Sequence, residues 1–101
     1  MRALGLLLLS LGVTLATTAF AADVNKGEIL AKRWCASCHV ISSMQSQGTA
    51  QAPPFSATAS KPDFNERTIA FFLLAPHPPM PDMSLSRSEA ADLAAYIATQ
   101  K

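Results

Sequence analysis

The pentapeptide Cys35-Ala36-Ser37-Cys38-His39 constrains this chain more than any other stretch, and it holds both cysteines and one of the two histidines. Residues three apart on a helical turn lie on one face, so two thiols at this spacing can bond to one flat group. An imidazole directly after them can reach a metal at the centre of that group. C-x-x-C-H is the form of covalent c-type haem attachment. The motif predicts thioethers at Cys35 and Cys38, with His39 as an axial ligand of the iron.

Two other uses of these residues remain open at this point. The two cysteines could form a disulfide or the active site of a thiol–disulfide oxidoreductase. No β-run precedes Cys35, which disfavours the thioredoxin-like context of such an active site. The cysteines could also bind zinc together with His39 and His77, although a zinc site needs about four ligands and no second ligand pair flanks His77.

The N-terminus predicts a signal peptide over residues 1–21. Arg2 supplies a short positive region, residues 4–16 are mainly apolar, and Ala19-Phe20-Ala21 fits the small-x-small rule for cleavage before Ala22. The chain is therefore expected to be exported to the periplasm, with no stable membrane insertion once the signal is cleaved. An uncleaved N-terminal anchor is the alternative.

The mature chain, residues 22–101, is 80 residues long and predicts one small domain. A chain of this length buries a marginal core and usually needs a covalent staple or a cofactor. A bound haem would supply apolar volume, so the apo-protein is expected to be largely unfolded.

Charge in the mature chain is balanced. Of the eight basic residues only Arg2 precedes residue 22, so seven basic residues meet seven acidic ones. No basic stripe is present, which argues against nucleic acid as a partner. No dense ring of lysines is present either, so docking is expected to use a small, mostly uncharged patch.

Three main helices are predicted, with no strand. The first covers residues 23–34, capped by Asp23 or Asn25. Gly27 lies inside it, where glycine costs about 1 kcal/mol relative to alanine. Close approach of another helix would explain Gly27, and tolerance near a frayed first turn is the alternative. The predicted apolar face of this helix consists of Ile29, Leu30 and Trp34.

The second predicted helix covers residues 64–74, opened by Lys61-Pro62-Asp63 and ended by Ala75-Pro76. Residues 40–60, between the first two helices, are predicted to be a loop. The third helix follows Ser86-Arg87-Ser88-Glu89, which has the form of a capping box. The side chains of the second helix expected in the core are Phe64, Ile69, Phe71, Phe72, Leu73 and Leu74. The stripe expected on the third consists of Ala90, Leu93, Ala94 and Ile97, with Tyr96 at its edge.

Two proline-rich pieces lie in the loops. In Ala52-Pro53-Pro54-Phe55 the prolines predict a rigid, extended backbone. A carbonyl there can accept the Nδ1 proton of His39, and Phe55 is the nearest aromatic to pack on a porphyrin. An ordinary proline-rich loop is the alternative.

The second piece, residues 76–83, contains four prolines within six residues and can hold one side chain at a fixed point. Methionine opposite histidine raises a haem potential. Met80, between two prolines, is the first candidate for the distal ligand. Met83 is the second and His77 the third.

These motifs together resemble the small soluble bacterial class I cytochromes c, over nearly all of residues 23–101. The matching positions are Gly27, Cys35-Ala36-Ser37-Cys38-His39, Pro53-Pro54-Phe55, His77-Pro78-Pro79-Met80-Pro81, Leu85-Ser86, Glu89 and Leu93-Ala94-Ala95-Tyr96-Ile97. One departure from the family is the short, glutamine-rich loop after His39, which would shorten the cover on the haem edge.

The resemblance implies an all-α cytochrome c fold, with three main helices and loops around one covalent haem c. The first and last helices would cross near Gly27 and Tyr96. Met80 would be the distal ligand, and the carbonyl of Pro53 would receive the proton of His39.

The function expected from this set is one-electron transfer by a periplasmic carrier that is not an enzyme. Its partners would be redox proteins such as a bc-type complex, a terminal oxidase or a dehydrogenase. A five-coordinate haem protein with peroxidase or gas-binding activity is the main alternative, and a thiol–disulfide oxidoreductase is the other.

Overall fold

The computed structural model describes residues 12–16, 21–49, 51–76 and 78–101. Within these residues it contains four helices and no strand: α1 (Val24–Trp34), α2 (Phe55–Ala59), α3 (Glu66–Leu74) and α4 (Arg87–Ala98). The all-α prediction is confirmed, with three longer helices and one short one. Most of the predicted signal peptide and His77 lie outside the described residues, and none of the described helices is long and apolar enough to cross a membrane.

The last helix, α4, organises the core. Helices α1 and α3 both pack on it, and α2 touches it more lightly. Its predicted stripe is buried in full, and Tyr96, expected at the edge, is also buried. The small alanines of α4 let its neighbours approach closely, so most of the core lies around one helix.

Gly27 marks the crossing of α1 and α4. A Cβ atom at this position would meet the backbone carbonyl oxygen of Asp92, lie 2.7 Å from the carbonyl carbon of the same residue, and lie 2.8 Å from Cβ of Tyr96. No side chain larger than hydrogen fits there. The close-approach explanation for Gly27 is therefore confirmed.

The helix starts are set by side-chain caps. Asp23 accepts from the backbone N–H of Lys26 at 3.1 Å and caps α1. At α4 both halves of the predicted capping box are present, because the Ser86 hydroxyl accepts from the Glu89 N–H and the Glu89 carboxylate accepts from the Ser86 N–H. This hydrogen bonding to Ser86 lowers the pKa of Glu89.

Two predicted boundaries were wrong. Helix α3 begins at Glu66 rather than residue 64, because Asn65 accepts from the N–H of Thr68 and so supplies the cap. The predicted loop of residues 40–60 contains α2, which starts directly after the extended Pro54. Pro54 is itself extended, as expected, but it ends the extended piece and leads into a helical turn.

Two predicted core faces also need correction. Ile29 is 66% exposed and Phe71 is 77% exposed, and the other predicted core residues that are exposed are Trp34, Phe72 and Leu74. On α1 the buried residues are Gly27, Leu30 and Ala31, which share the face that crosses α4. On α3 only Leu73 is fully buried, with Ile69 and Ala70 packed beside it. Ile29 and Phe71 lie outside the faces that these contacts select.

Candidate haem-attachment site

The attachment turn, residues 35–39, begins where α1 ends. The N–H of Cys35 donates to the carbonyl of Ala31 at 2.9 Å and closes the last turn of the helix. The carbonyl of Cys35 then accepts from the N–H of Cys38 at 3.1 Å and from that of His39 at 2.8 Å. The motif is therefore a further, hydrogen-bonded turn carried on a long helix.

The two thiols of this turn are free and differ in burial. Cys35 is buried, whereas Cys38 is exposed. Burial, with a smaller contribution from the charge of Cys38, raises the pKa of Cys35 to about 11. Cys35 therefore keeps its proton at neutral pH and packs as a small apolar side chain. The turn presents one sulfur at the edge of the core and one at the surface.

The imidazole of His39 is held from one side. Its Nδ1 lies 2.6 Å from the carbonyl oxygen of Pro53. A carbonyl oxygen can only accept, so Nδ1 carries the proton and Nε2 keeps its lone pair for a metal. Phe55 packs beside the ring, with centroids 5.6 Å apart, and Tyr96 meets Phe55 edge-on at 6.3 Å. The imidazole is thereby oriented by a backbone acceptor and by a buried aromatic contact.

The two candidate methionines occupy different surroundings. Met83 is buried within the core cluster that includes Leu73 and Leu93, whereas Met80 is half-buried and packs against the outside of that cluster. The peptide bond between Pro78 and Pro79, just before Met80, is cis. A thioether enclosed by core side chains is less available to a metal, so Met80 is the better placed of the two.

Sequence reasoning missed one residue next to this site. The side chain of Gln45 lies within hydrogen-bond distance of backbone groups of Ala36 and His39, inside the attachment turn. The only available signal was the glutamine-rich composition of the loop, and that composition does not say which glutamine turns inward.

The donor set fits a covalent haem. Two unpaired thiols at the required spacing, an imidazole with a free Nε2 and a half-buried thioether are the groups that c-type haem uses. The same residues do not form a disulfide.

Comparison with known proteins identifies the class. The model of the family Cytochrome c matches residues 24–101, and the chain belongs to that family. Members of this family carry haem c bonded to cysteines and transfer electrons, so one covalent haem c is the cofactor here. Because haem c uses the cysteines, the family match excludes the zinc site and the disulfide as alternatives.

A protein of known name is similar to this chain over most of its length. The chain is 54% identical over 81 residues to "Cytochrome c-552" of Bradyrhizobium diazoefficiens. The aligned residues cover 80% of this chain and 78% of the relative. No solved structure matched the chain.

Proposed function

We propose that this protein is a periplasmic one-electron carrier in which Cys35 and Cys38 form the thioethers and His39 and Met80 are the axial ligands. The observation that carries the proposal is the 2.6 Å hydrogen bond from His39 Nδ1 to Pro53. It leaves only Nε2 for a metal, on a ring attached directly to the turn that holds both thiols. When bound, haem iron supplies a one-electron Fe(II)/Fe(III) couple.

The protein groups divide the remaining work. The attachment turn would fix where the cofactor sits, and the Pro53 carbonyl holds the imidazole in one tautomer and one orientation. Met80, in the proline-rich segment, would hold the metal together with His39. A metal held by both residues would have no position open to a substrate, which favours electron transfer over bond chemistry.

Alanine variants of the two methionines test the ligand assignment. The wild-type protein, expressed with cytochrome maturation, is expected to show a low-spin c-type spectrum and a weak far-red band when oxidised. Met80→Ala should lose that band and bind carbon monoxide when reduced. Its potential should fall by on the order of 0.1 V or more, since axial ligands set haem potentials over about 0.8 V.

Met83→Ala is the matched control. It should keep the far-red band and not bind carbon monoxide. Its free energy of unfolding should instead fall by about 2–5 kcal/mol, the usual cost of truncating a buried methionine. His77→Ala should also keep the band. Carbon monoxide binding by the wild-type protein would favour the five-coordinate alternative, and loss of the band in Met83→Ala alone would move the ligand to Met83.

We also propose that residues 1–21 act as the export signal and that residues 22–101 are the mature carrier. The composition of the amino terminus, with its small-x-small site before Ala22, supports this division. The family match from residue 24 supports it from the other side. A terminal oxidase, a bc-type complex or a dehydrogenase would supply or take the electron.

The docking surface is proposed to be uncharged. Residues 35–60 contain no Asp, Glu, Lys or Arg, and neither do residues 68–81, so the attachment turn and the Met80 segment both lie in neutral stretches. Cys38, Pro78 and Pro79 are exposed there. A partner of complementary chemistry would present an uncharged patch rather than a ring of carboxylates.

Salt dependence tests this surface. The second-order rate constant for oxidation of the ferrous protein by a terminal oxidase should fall less than about twofold between about 0.01 M and 0.15 M ionic strength, over which the Debye length shortens from about 30 Å to 8 Å. Electrostatic steering would instead give a steep fall. Ser37→Lys, in the attachment turn, should create salt dependence, whereas Asn25→Lys, at the far end of α1, should not. Equal behaviour of the two variants would contradict the proposed surface.

A further inference from the structure

The side chain of Gln45 makes more polar contacts than any other side chain near the attachment turn. Its Nε2 lies 2.9 Å from the carbonyl oxygen of Ala36, 2.8 Å from that of His39 and 2.7 Å from that of Gln47. Its Oε1 accepts from the N–H of Ile41 at 3.1 Å. The amide of Gln45 therefore lies within hydrogen-bond distance of three carbonyl oxygens and one N–H. These groups belong to the attachment turn and to the loop that follows it.

This geometry needs an amide. Carbonyl groups past the end of a helix have no partner within the helix and must find donors elsewhere. Ala36 and His39 present two such carbonyls, while Ile41 presents an N–H. Among side chains, only a carboxamide combines two N–H donors with an acceptor oxygen, and glutamine has the reach to place them here.

The loop around Gln45 is fitted closely to the same turn. The N–H of Thr49 donates to the carbonyl of Cys38 at 2.7 Å. A Cβ atom on Gly48 would lie 2.7 Å from that same carbonyl oxygen and 3.1 Å from the N atom of Val40. The chain thus crosses directly over the peptide that joins Cys38 to His39, on its way to Pro53.

The contacts continue into the core. The carbonyl of Ile41 accepts from the buried hydroxyl of Tyr96 at 2.9 Å, while its N–H donates to Gln45. The N–H of Phe55 donates to the carbonyl of Val40 at 2.9 Å, one residue after the Pro53-Pro54 pair. Gln45 is therefore hydrogen-bonded to Ile41, which is itself bonded to Tyr96 on α4, and the preceding residue, Val40, is bonded to the segment that carries Pro53.

We propose that Gln45 is a positioning residue for the proximal ligand. By bonding to the carbonyls of Ala36 and His39, it fixes the backbone of His39 within the attachment turn. The imidazole then stays within hydrogen-bond distance of the Pro53 carbonyl. This inference rests on the proposed role of His39 as an iron ligand. It assigns to the glutamine-rich loop the task of fixing the proximal hydrogen bond, beyond covering the haem edge.

Hydrogen exchange in the reduced, diamagnetic holoprotein tests the proposal. Gln45→Met keeps the length of the side chain and removes its donors and acceptor. Gln45→Glu keeps the acceptor for Ile41 and removes the donors that face three carbonyls. In both variants the His39 Nδ1–H should exchange with solvent at least tenfold faster than in the wild type, measured by NMR. The Leu93 amide, buried in α4, reports global opening and should accelerate by a smaller factor.

Two further variants keep the test decisive. Gln45→Asn retains the amide but shortens the reach, and it should give an intermediate acceleration even if a harsher variant fails to mature. Gln51→Ala, an exposed glutamine of the same loop, should behave as the wild type. Equal acceleration at His39 and Leu93 would show a merely structural role and overturn the proposal, as would wild-type exchange in Gln45→Glu. A wild-type protein without histidine-ligated haem would instead refute the proposed function itself.

Discussion

Replacing Cys35 and Cys38 together with alanine is expected to abolish covalent haem attachment, leaving a chain whose intact mass equals that of the bare polypeptide. Each thioether arises when a thiol S–H adds across a vinyl group, so alanine cannot form either bond. The domain over residues 24–101 has a small core, and a core of this size gives only marginal stability unless a staple or a cofactor adds to it. Its far-ultraviolet circular dichroism should therefore lose most of the helical signal.

Single replacements provide the control. Cys38→Ala removes an exposed thiol and should leave a pigmented protein bonded through one sulfur. Cys35→Ala should also keep one thioether bond. Because Cys35 is part of the core cluster, this variant should lose more stability than Cys38→Ala. Pigment that survives denaturation in the double variant would contradict this assignment. Alkylation of both thiols in the native wild type would contradict it equally.

The second large effect is expected from Gly27→Ala. In an isolated helix this change would stabilise by about 1 kcal/mol. Here the new methyl group would meet the backbone of Asp92 on α4 and lie 2.8 Å from Cβ of Tyr96. Backbone atoms cannot swing aside as the end of a side chain can, so α1 and α4 must separate. We expect a loss of about 3 kcal/mol or more, at the upper end of the cost of overpacking.

Urea unfolding of the holoprotein, followed by circular dichroism, measures this loss. For a domain of this size it corresponds to a fall in Tm of about 10 °C or more. Ile29→Ala, on the same helix but 66% exposed, should change the free energy of unfolding by less than about 0.5 kcal/mol. Unchanged stability in Gly27→Ala would mean that the two helices do not cross at this glycine.

The parts of the fold that could be read from sequence are those specified by local chemistry. The capping box at Ser86 and Glu89 was predicted residue by residue, since a cap depends on side chains three positions apart. The start of α3 was misplaced because both Asp63 and Asn65 are competent caps, and only the observed bond from the Thr68 N–H selects Asn65. Helix α2 was missed because five residues are too few to show a period.

Burial was less predictable than helix formation. Ile29 and Phe71 are large and apolar, yet both are exposed, because α1 and α3 turn other faces toward α4. Gln45 shows the opposite case. Glutamine side chains usually point into solvent, but the amide of Gln45 bonds to the attachment turn. Which side of a helix or loop faces inward depends on partners that are distant in sequence.

The sequence by itself determined two parts of this protein: two thiols and an imidazole at the spacing of haem attachment, and the cap of the last helix. Both are local, because each depends on residues within about one helical turn of one another. Only the tertiary structure decided that Gly27 lies at a helix crossing, that Met83 belongs to the core, and that Gln45 is hydrogen-bonded to the attachment turn. Those contacts join segments whose relative placement follows from packing on α4, which no short stretch of sequence encodes.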